Sequence, residues 1–209
     1  MMAAADFLYY ARIGLQMQKA DDAYAEGDRP DAACKSQTGP VLTPAECALL
    51  MASLGKHQAR GGLVTSPTGA AVIDLARYSA SETLFDPRAP EFAWLIDRLG
   101  PFIADAAVKF GLPGLRLVEA ARLVRYGRGG HFNWHPDSSD QVQRRLTLSL
   151  QLSPEASYSG GDLMMLGGRD EWACADRTQG GACLFPAALF HRATQVTKGQ
   201  RSALVLWFY

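Results

Sequence analysis

Beyond Gly114 the chain changes texture: short apolar runs are parted by Gly, Pro and Asp. The runs Leu115 to Tyr126, Leu146 to Leu152, Asp162 to Leu166, Ala182 to Phe185 and Ser202 to Phe208 read as strands, and a β-sandwich or open barrel follows. The half before Gly114 reads differently. Residues 3 to about 25 suggest an irregularly amphipathic helix ended near Gly27, and Asp28 to Gly39 a polar loop. Thr43-Pro44-Ala45-Glu46 is a strong helix start: Thr43 can cap, Pro44 suits the first turn, and Glu46 closes a capping box. The pattern from Gly61 to Ser79 suggests a hairpin turning at Ser66-Pro67-Thr68-Gly69. A second helix is expected from about Ala89 to Phe110, where Phe92, Leu95, Ile96, Leu99, Phe102, Ile103 and Ala106 recur at three- and four-residue spacings. The expected fold is mainly β with flanking helices (α+β). It forms one domain, residues 1–114 being a mostly helical support and residues 115–209 the β core.

Composition excludes several function classes. Lys plus Arg equals Asp plus Glu at 21 each, so no global field recruits nucleic acid or an anionic membrane. No stretch is long and apolar enough to span a bilayer, and the N-terminal residues lack the features of a secretory leader. Cys34, Cys47, Cys174 and Cys183 show no CxxC pairing, so neither a zinc site nor a disulfide framework is indicated. A cytoplasmic location is the expectation.

The chemistry concentrates in His135-Pro136-Asp137. In extended chain, residues two apart project to the same side, so an imidazole and a carboxylate can share one cation. Alone this triplet is a weak signal, because chance produces it often. His191 further along would complete two histidines and one carboxylate on one face of a metal, leaving positions open as in non-haem Fe(II) oxygenases. Arg201 follows ten residues after His191 and opens a strand, where its guanidinium fork could bind a carboxylate in bidentate fashion. Its bland alternative is a surface arginine at a strand start.

From Leu115 to Tyr209 the chain resembles the catalytic core of prolyl 4-hydroxylase-like 2-oxoglutarate oxygenases, including the bacterial PKHD-type hydroxylases. The matching pieces run in order: Arg125-Tyr126-x-x-Gly129-x-x-Phe132-x-x-His135-x-Asp137, Leu146-Thr147-Leu148-Ser149-Leu150, Tyr158-x-Gly160-Gly161-Asp162-Leu163, Gly181-Ala182-x-Leu184-Phe185-Pro186, His191, and Val196-Thr197-x-Gly199-x-Arg201. The resemblance implies a double-stranded β-helix (jelly roll) with helices packed on one sheet. It implies Fe(II) held by His135, Asp137 and His191, 2-oxoglutarate gripped by Arg201, and dioxygen as oxidant, with ascorbate as a stimulant. It further implies a co-substrate hydrogen bond from Tyr126, and places Thr147 and Gln151 on the co-substrate side, with Gln151 where some relatives carry a tyrosine. Related halogenases have Gly or Ala in place of Asp137, so hydroxylation is the implied outcome.

Weaker substrate-side candidates are His131, Trp134, Trp172 and Arg122. Each has an ordinary alternative: a solvated loop histidine, core aromatics, and, for Arg122 with Arg125 and Arg128, a solvated basic face. Three functions stay open: an enzyme hydroxylating an amino acid, a peptidyl residue or a small natural product; a non-catalytic jelly-roll binding module; and a cupin-like metalloenzyme without a 2-oxo acid. The loop Ser138 to Gln143, the segment Gly167 to Gly180 and the N-terminal half are expected to set substrate choice.

Overall fold

The computed structural model describes residues 35–36, 41–65, 70–139, 142–167, 170–173 and 177–209. The helix expected near residues 3 to 25 lies outside them, as do the hairpin turn at 66–69 and most of the loop from Asp28 to Gly39. In chain order come β1 (Lys35–Ser36), helix α1 (Pro44–Leu54), β2 (Ala59–Gly61), β3 (Val64–Thr65), β4 (Ala71–Val72), β5 (Tyr78–Ser79), β6 (Ser81–Phe85) and helix α2 (Ala93–Lys109). Then follow β7 (Ala121–Tyr126), β8 (His131–His135), β9 (Leu146–Gln151), β10 (Tyr158–Gly160), β11 (Leu163–Gly167) and β12 (Asp170–Ala173). The last four are β13 (Ala182–Pro186), β14 (His191–Ala193), β15 (Val196–Gly199) and β16 (Arg201–Phe208).

Two antiparallel sheets face each other. The larger has the order β1-β13-β9-β16-β7-β6-β2 and the smaller β12-β11-β14-β8-β5. Alternation along the large sheet separates two environments. Leu123, Leu148, Leu150, Leu184, Leu204 and Leu206 pack outward against Leu50, Leu54, Leu95, Leu99 and Phe102 of the helices. Each such leucine contributes about 1.5–3 kcal/mol by leaving water. The intervening residues, among them Thr147, Gln151, Arg201 and Trp207, turn inward toward the small sheet.

The helix start is built as its residues dictate. Glu46 N–H donates to Thr43 Oγ1 at 3.2 Å, while Thr43 N–H donates to the Glu46 carboxylate at 2.8 Å. α2 begins at Ala93, later than expected, because Pro90–Phe92 forms a 3-10 turn first. The strand expected from Leu115 starts only at Ala121; Arg116 exchanges backbone hydrogen bonds with Tyr209, and between them Glu119 turns to the Arg144 guanidinium. Among the described residues the first half also contributes strands: β5 joins the small sheet and β2 and β6 the large one.

Cys47 is a buried free thiol, whereas Cys183 is disulfide-bonded. That corrects the expectation that no disulfide is indicated, which rested on the lack of any CxxC pairing. No helix among the described residues is long and apolar enough to cross a membrane.

Candidate metal centre and co-substrate cleft

β8 and β14 are neighbours in the small sheet, and their register sets His135 opposite His191. Asp137 lies just past the end of β8, where its N–H donates to the Ala187 carbonyl at 2.8 Å. The result is a cluster whose ligand atoms all lie within 4.8 Å of one another. His135 Nε2 is 3.8 Å from Asp137 Oδ1, and His191 Nε2 is 3.4 Å from Asp137 Oδ2. With metal–ligand bonds of about 2.1 Å, cis ligands sit about 3 Å apart, so an ion draws the cluster in by roughly an ångström.

Both imidazoles are held in orientation through their Nδ1 atoms. His135 Nδ1 donates to the Asn133 carbonyl at 2.7 Å and His191 Nδ1 to the Leu189 carbonyl at 2.9 Å, so each Nε2 is turned toward Asp137. Burial, with the adjacent His191, pushes the His135 imidazole down to about 3, outweighing the opposing pull of Asp137. Phe132 stacks on the His135 ring at 3.5 Å and Phe185 meets the His191 ring edge-on at 4.8 Å. Burial opposes charge on Asp137, yet His191, His135 and the Trp207 indole hold its carboxyl well below the usual range. Thr147 Oγ1 donates to Asp137 Oδ2 at 2.7 Å, and Arg144, forked on Glu119, donates to the Asp137 carbonyl at 3.1 Å. Two imidazole nitrogens and one carboxylate suit a divalent transition metal.

Arg201, the first residue of β16, is 6% exposed and pairs in register with Tyr126. Its Nε donates to Gln151 Oε1 at 3.0 Å, and Gln151 in turn donates to the Ser153 carbonyl at 2.9 Å. Arg201 and Gln151 border a narrow open cleft that also touches Ser149, Tyr158, Gly161, Leu163 and Arg177. Gly161 has φ +69°, and a Cβ there would lie 3.1 Å from Arg201 Cδ, so glycine makes room for the guanidinium. Tyr126 is buried beside Arg201, and that burial pushes its phenol up to about 12, leaving it a neutral hydroxyl.

The 2OG-Fe(II) oxygenase superfamily model matches residues 121–209. A PKHD-type hydroxylase of Nitrobacter winogradskyi is 30% identical over 180 residues, spanning 80% of this chain and 74% of that protein. The chain belongs to the 2-oxoglutarate/Fe(II) oxygenases of the PKHD type. Another PKHD-type hydroxylase, from Psychrobacter sp., is 39% identical over 75 residues, 35% of this chain and 28% of that one. The double-stranded β-helix is shared with a Pseudomonas putida prolyl-4-hydroxylase at TM-score 0.62, 16% identity, and coverage of 90% and 95% of the two chains. It is shared too with HygX from Streptomyces hygroscopicus, solved with nickel and 2-oxoglutarate bound, at TM-score 0.57, 15% identity, and coverage of 81% and 80%.

In this oxygenase the structure brings His135, Asp137 and His191 together and sets Arg201 and Gln151 along the cleft, with Tyr126 beside Arg201. Thr147 stands apart from that cleft and addresses Asp137 instead. His131 is on β8, not in a loop, and its ring nitrogens contact the carbonyls of Gly129 at 3.0 Å and Ala76 at 3.1 Å. Trp134 lies under the Arg192 guanidinium at 4.8 Å. Trp172 falls on β12, but its side chain is outside the described part of the structure. The supposed basic face does not exist: Arg122 turns inward to Glu82, while Arg125 turns the other way to the Thr83 hydroxyl. Sequence reasoning missed Glu82, Arg144 and Trp207. For Trp207 a signal was available, since period-two alternation from Arg201 puts it on the inward face.

Proposed function

We propose that His135, Asp137 and His191 hold Fe(II), that Arg201 grips the distal carboxylate of 2-oxoglutarate, and that the enzyme hydroxylates an unactivated C–H bond. Substrates of the implied class are an amino acid, a peptidyl residue or a small natural product. The observation that carries this is a two-histidine, one-carboxylate cluster, held by Thr147 on the strand adjoining that of a buried arginine whose terminal nitrogens meet no described partner. When bound, iron supplies the oxidative decarboxylation of 2-oxoglutarate to succinate and carbon dioxide coupled to C–H hydroxylation. The protein's part is positional. Asn133 and Leu189 fix the imidazole tautomers, Thr147 fixes the carboxylate, and Gln151 fixes Arg201 so that its fork meets a carboxylate bidentately. The names of the curated relatives, PKHD-type hydroxylases, support hydroxylation as the outcome.

The test is succinate release from 2-oxoglutarate in air with Fe(II). Wild type releases succinate, His135→Ala and Asp137→Ala do not, and Arg201→Met needs far more 2-oxoglutarate. Bound iron without succinate under any substrate tried would move the protein to the binding modules. Turnover indifferent to Arg201→Met would move it to the cupin-like metalloenzymes.

A further inference from the structure

The inner face of the large sheet carries a charge cluster that iron and 2-oxoglutarate do not use. Glu82 on β6 is fully buried. Its Oε1 accepts hydrogen bonds from the Tyr78 hydroxyl at 2.9 Å and from Arg122 Nη1 at 3.1 Å, and its Oε2 lies 3.5 Å from Arg60 Nη2. A lone buried carboxylate is costly, and here two guanidiniums surround one carboxylate, leaving a positive charge in excess.

Arg122 is where that excess faces the chamber. Register places it on the same inward row of β7 as Val124 and Tyr126, and Tyr126 pairs with Arg201. Its guanidinium lies 4.7 Å over the Trp207 ring, the same indole that helps hold Asp137 charged. One Nη is engaged by Glu82, and the rest of the fork has no partner among the described residues. Its side chain is 25% exposed and so remains reachable from solvent. Arg122 and Arg201 thus both stand on the inward face of the large sheet with guanidinium nitrogens open to an anion, and the 2-oxo acid accounts for one of them.

We propose that Arg122 receives a carboxylate of the primary substrate and that Glu82 is the positioning residue that aims it. Resting on the oxygenase reading above, this narrows the substrate class to small acids with a free carboxylate, such as amino acids, whose oxidised C–H bond lies close to that group. An uncharged residue inside a peptide does not match an inward guanidinium. Neither Glu82 nor Tyr78 touches the reacting atoms; they hold Arg122 against Trp207.

The test measures succinate release by the Fe(II)-loaded enzyme with the twenty free L-amino acids and with their primary amides, alongside the visible band of the anaerobic Fe(II)·2-oxoglutarate complex. Stimulation is expected from at least one free acid and, for its amide, at least about tenfold less. Arg122→Met is expected to raise KM for that acid about tenfold or more with little change in kcat, and Arg122→Lys to restore part of the loss. Glu82→Gln is expected to raise the same KM, with the band unchanged in all three variants. Equal stimulation by amides, no stimulation by any free acid, or an unchanged KM in Arg122→Met overturns the proposal. Absence of the band in wild type instead overturns the oxygenase reading itself.

Discussion

Thr147 and Arg201 sit on adjacent strands and share the inward face, yet they serve different partners. Thr147 holds the Asp137 carboxylate through one 2.7 Å hydrogen bond. Thr147→Val is therefore expected to weaken Fe(II) affinity about 10–100-fold while leaving the affinity of the metal-loaded enzyme for 2-oxoglutarate little changed, as read by Fe(II) titration. Arg201→Lys keeps the charge but loses the fork and the Gln151 bond, and KM for 2-oxoglutarate should rise about tenfold or more. The clustering of His135, Asp137 and His191 and the buried Arg201 were legible because their residue types and order are a local signature in one segment of chain. Glu82 was not: its partners Arg60 and Arg122 come from other strands, and only the register of β2, β6 and β7 assembles them.

At the scale of elements, what reads well in sequence is what is decided locally. The capping box of α1 is settled by four consecutive residues, and removing it with Thr43→Ala should cost about 1 kcal/mol in urea unfolding. In the C-terminal half β9, β11, β13 and β16 were placed to within a residue or two, because each is a short apolar run between breakers. Elements that depend on neighbours were less legible. β8 is rich in polar and aromatic residues, His131 to His135, and becomes a strand because β14 and β5 pair with it on either side. β2 and β5 are too short to show any period, and they exist through their ladders. Gly161 belongs to this scale too. Gly161→Ala should strain a positive φ and displace Arg201, raising KM for 2-oxoglutarate while Fe(II) binding persists.

For the whole molecule, the metal centre ties stability to pH. The folded state keeps His135 unprotonated down to about 3, whereas unfolded chain accepts that proton near the ordinary 6.5. The unfolded state therefore binds more protons in this window, and stability falls as pH drops through it. Apo wild type should lose stability relative to His135→Leu between about pH 6.5 and pH 3, measured by urea unfolding. Fe(II), which binds only the assembled ligands, should raise the midpoint of thermal unfolding in wild type and leave His135→Leu nearly unmoved. The most direct check of the central claim is an anaerobic titration of apoprotein with Fe(II) and then 2-oxoglutarate, following the weak charge-transfer band at about 500 nm. The band should appear in wild type, vanish in His191→Ala, and need much more 2-oxoglutarate in Arg201→Met; bound iron that gives no band on adding 2-oxoglutarate would contradict the account.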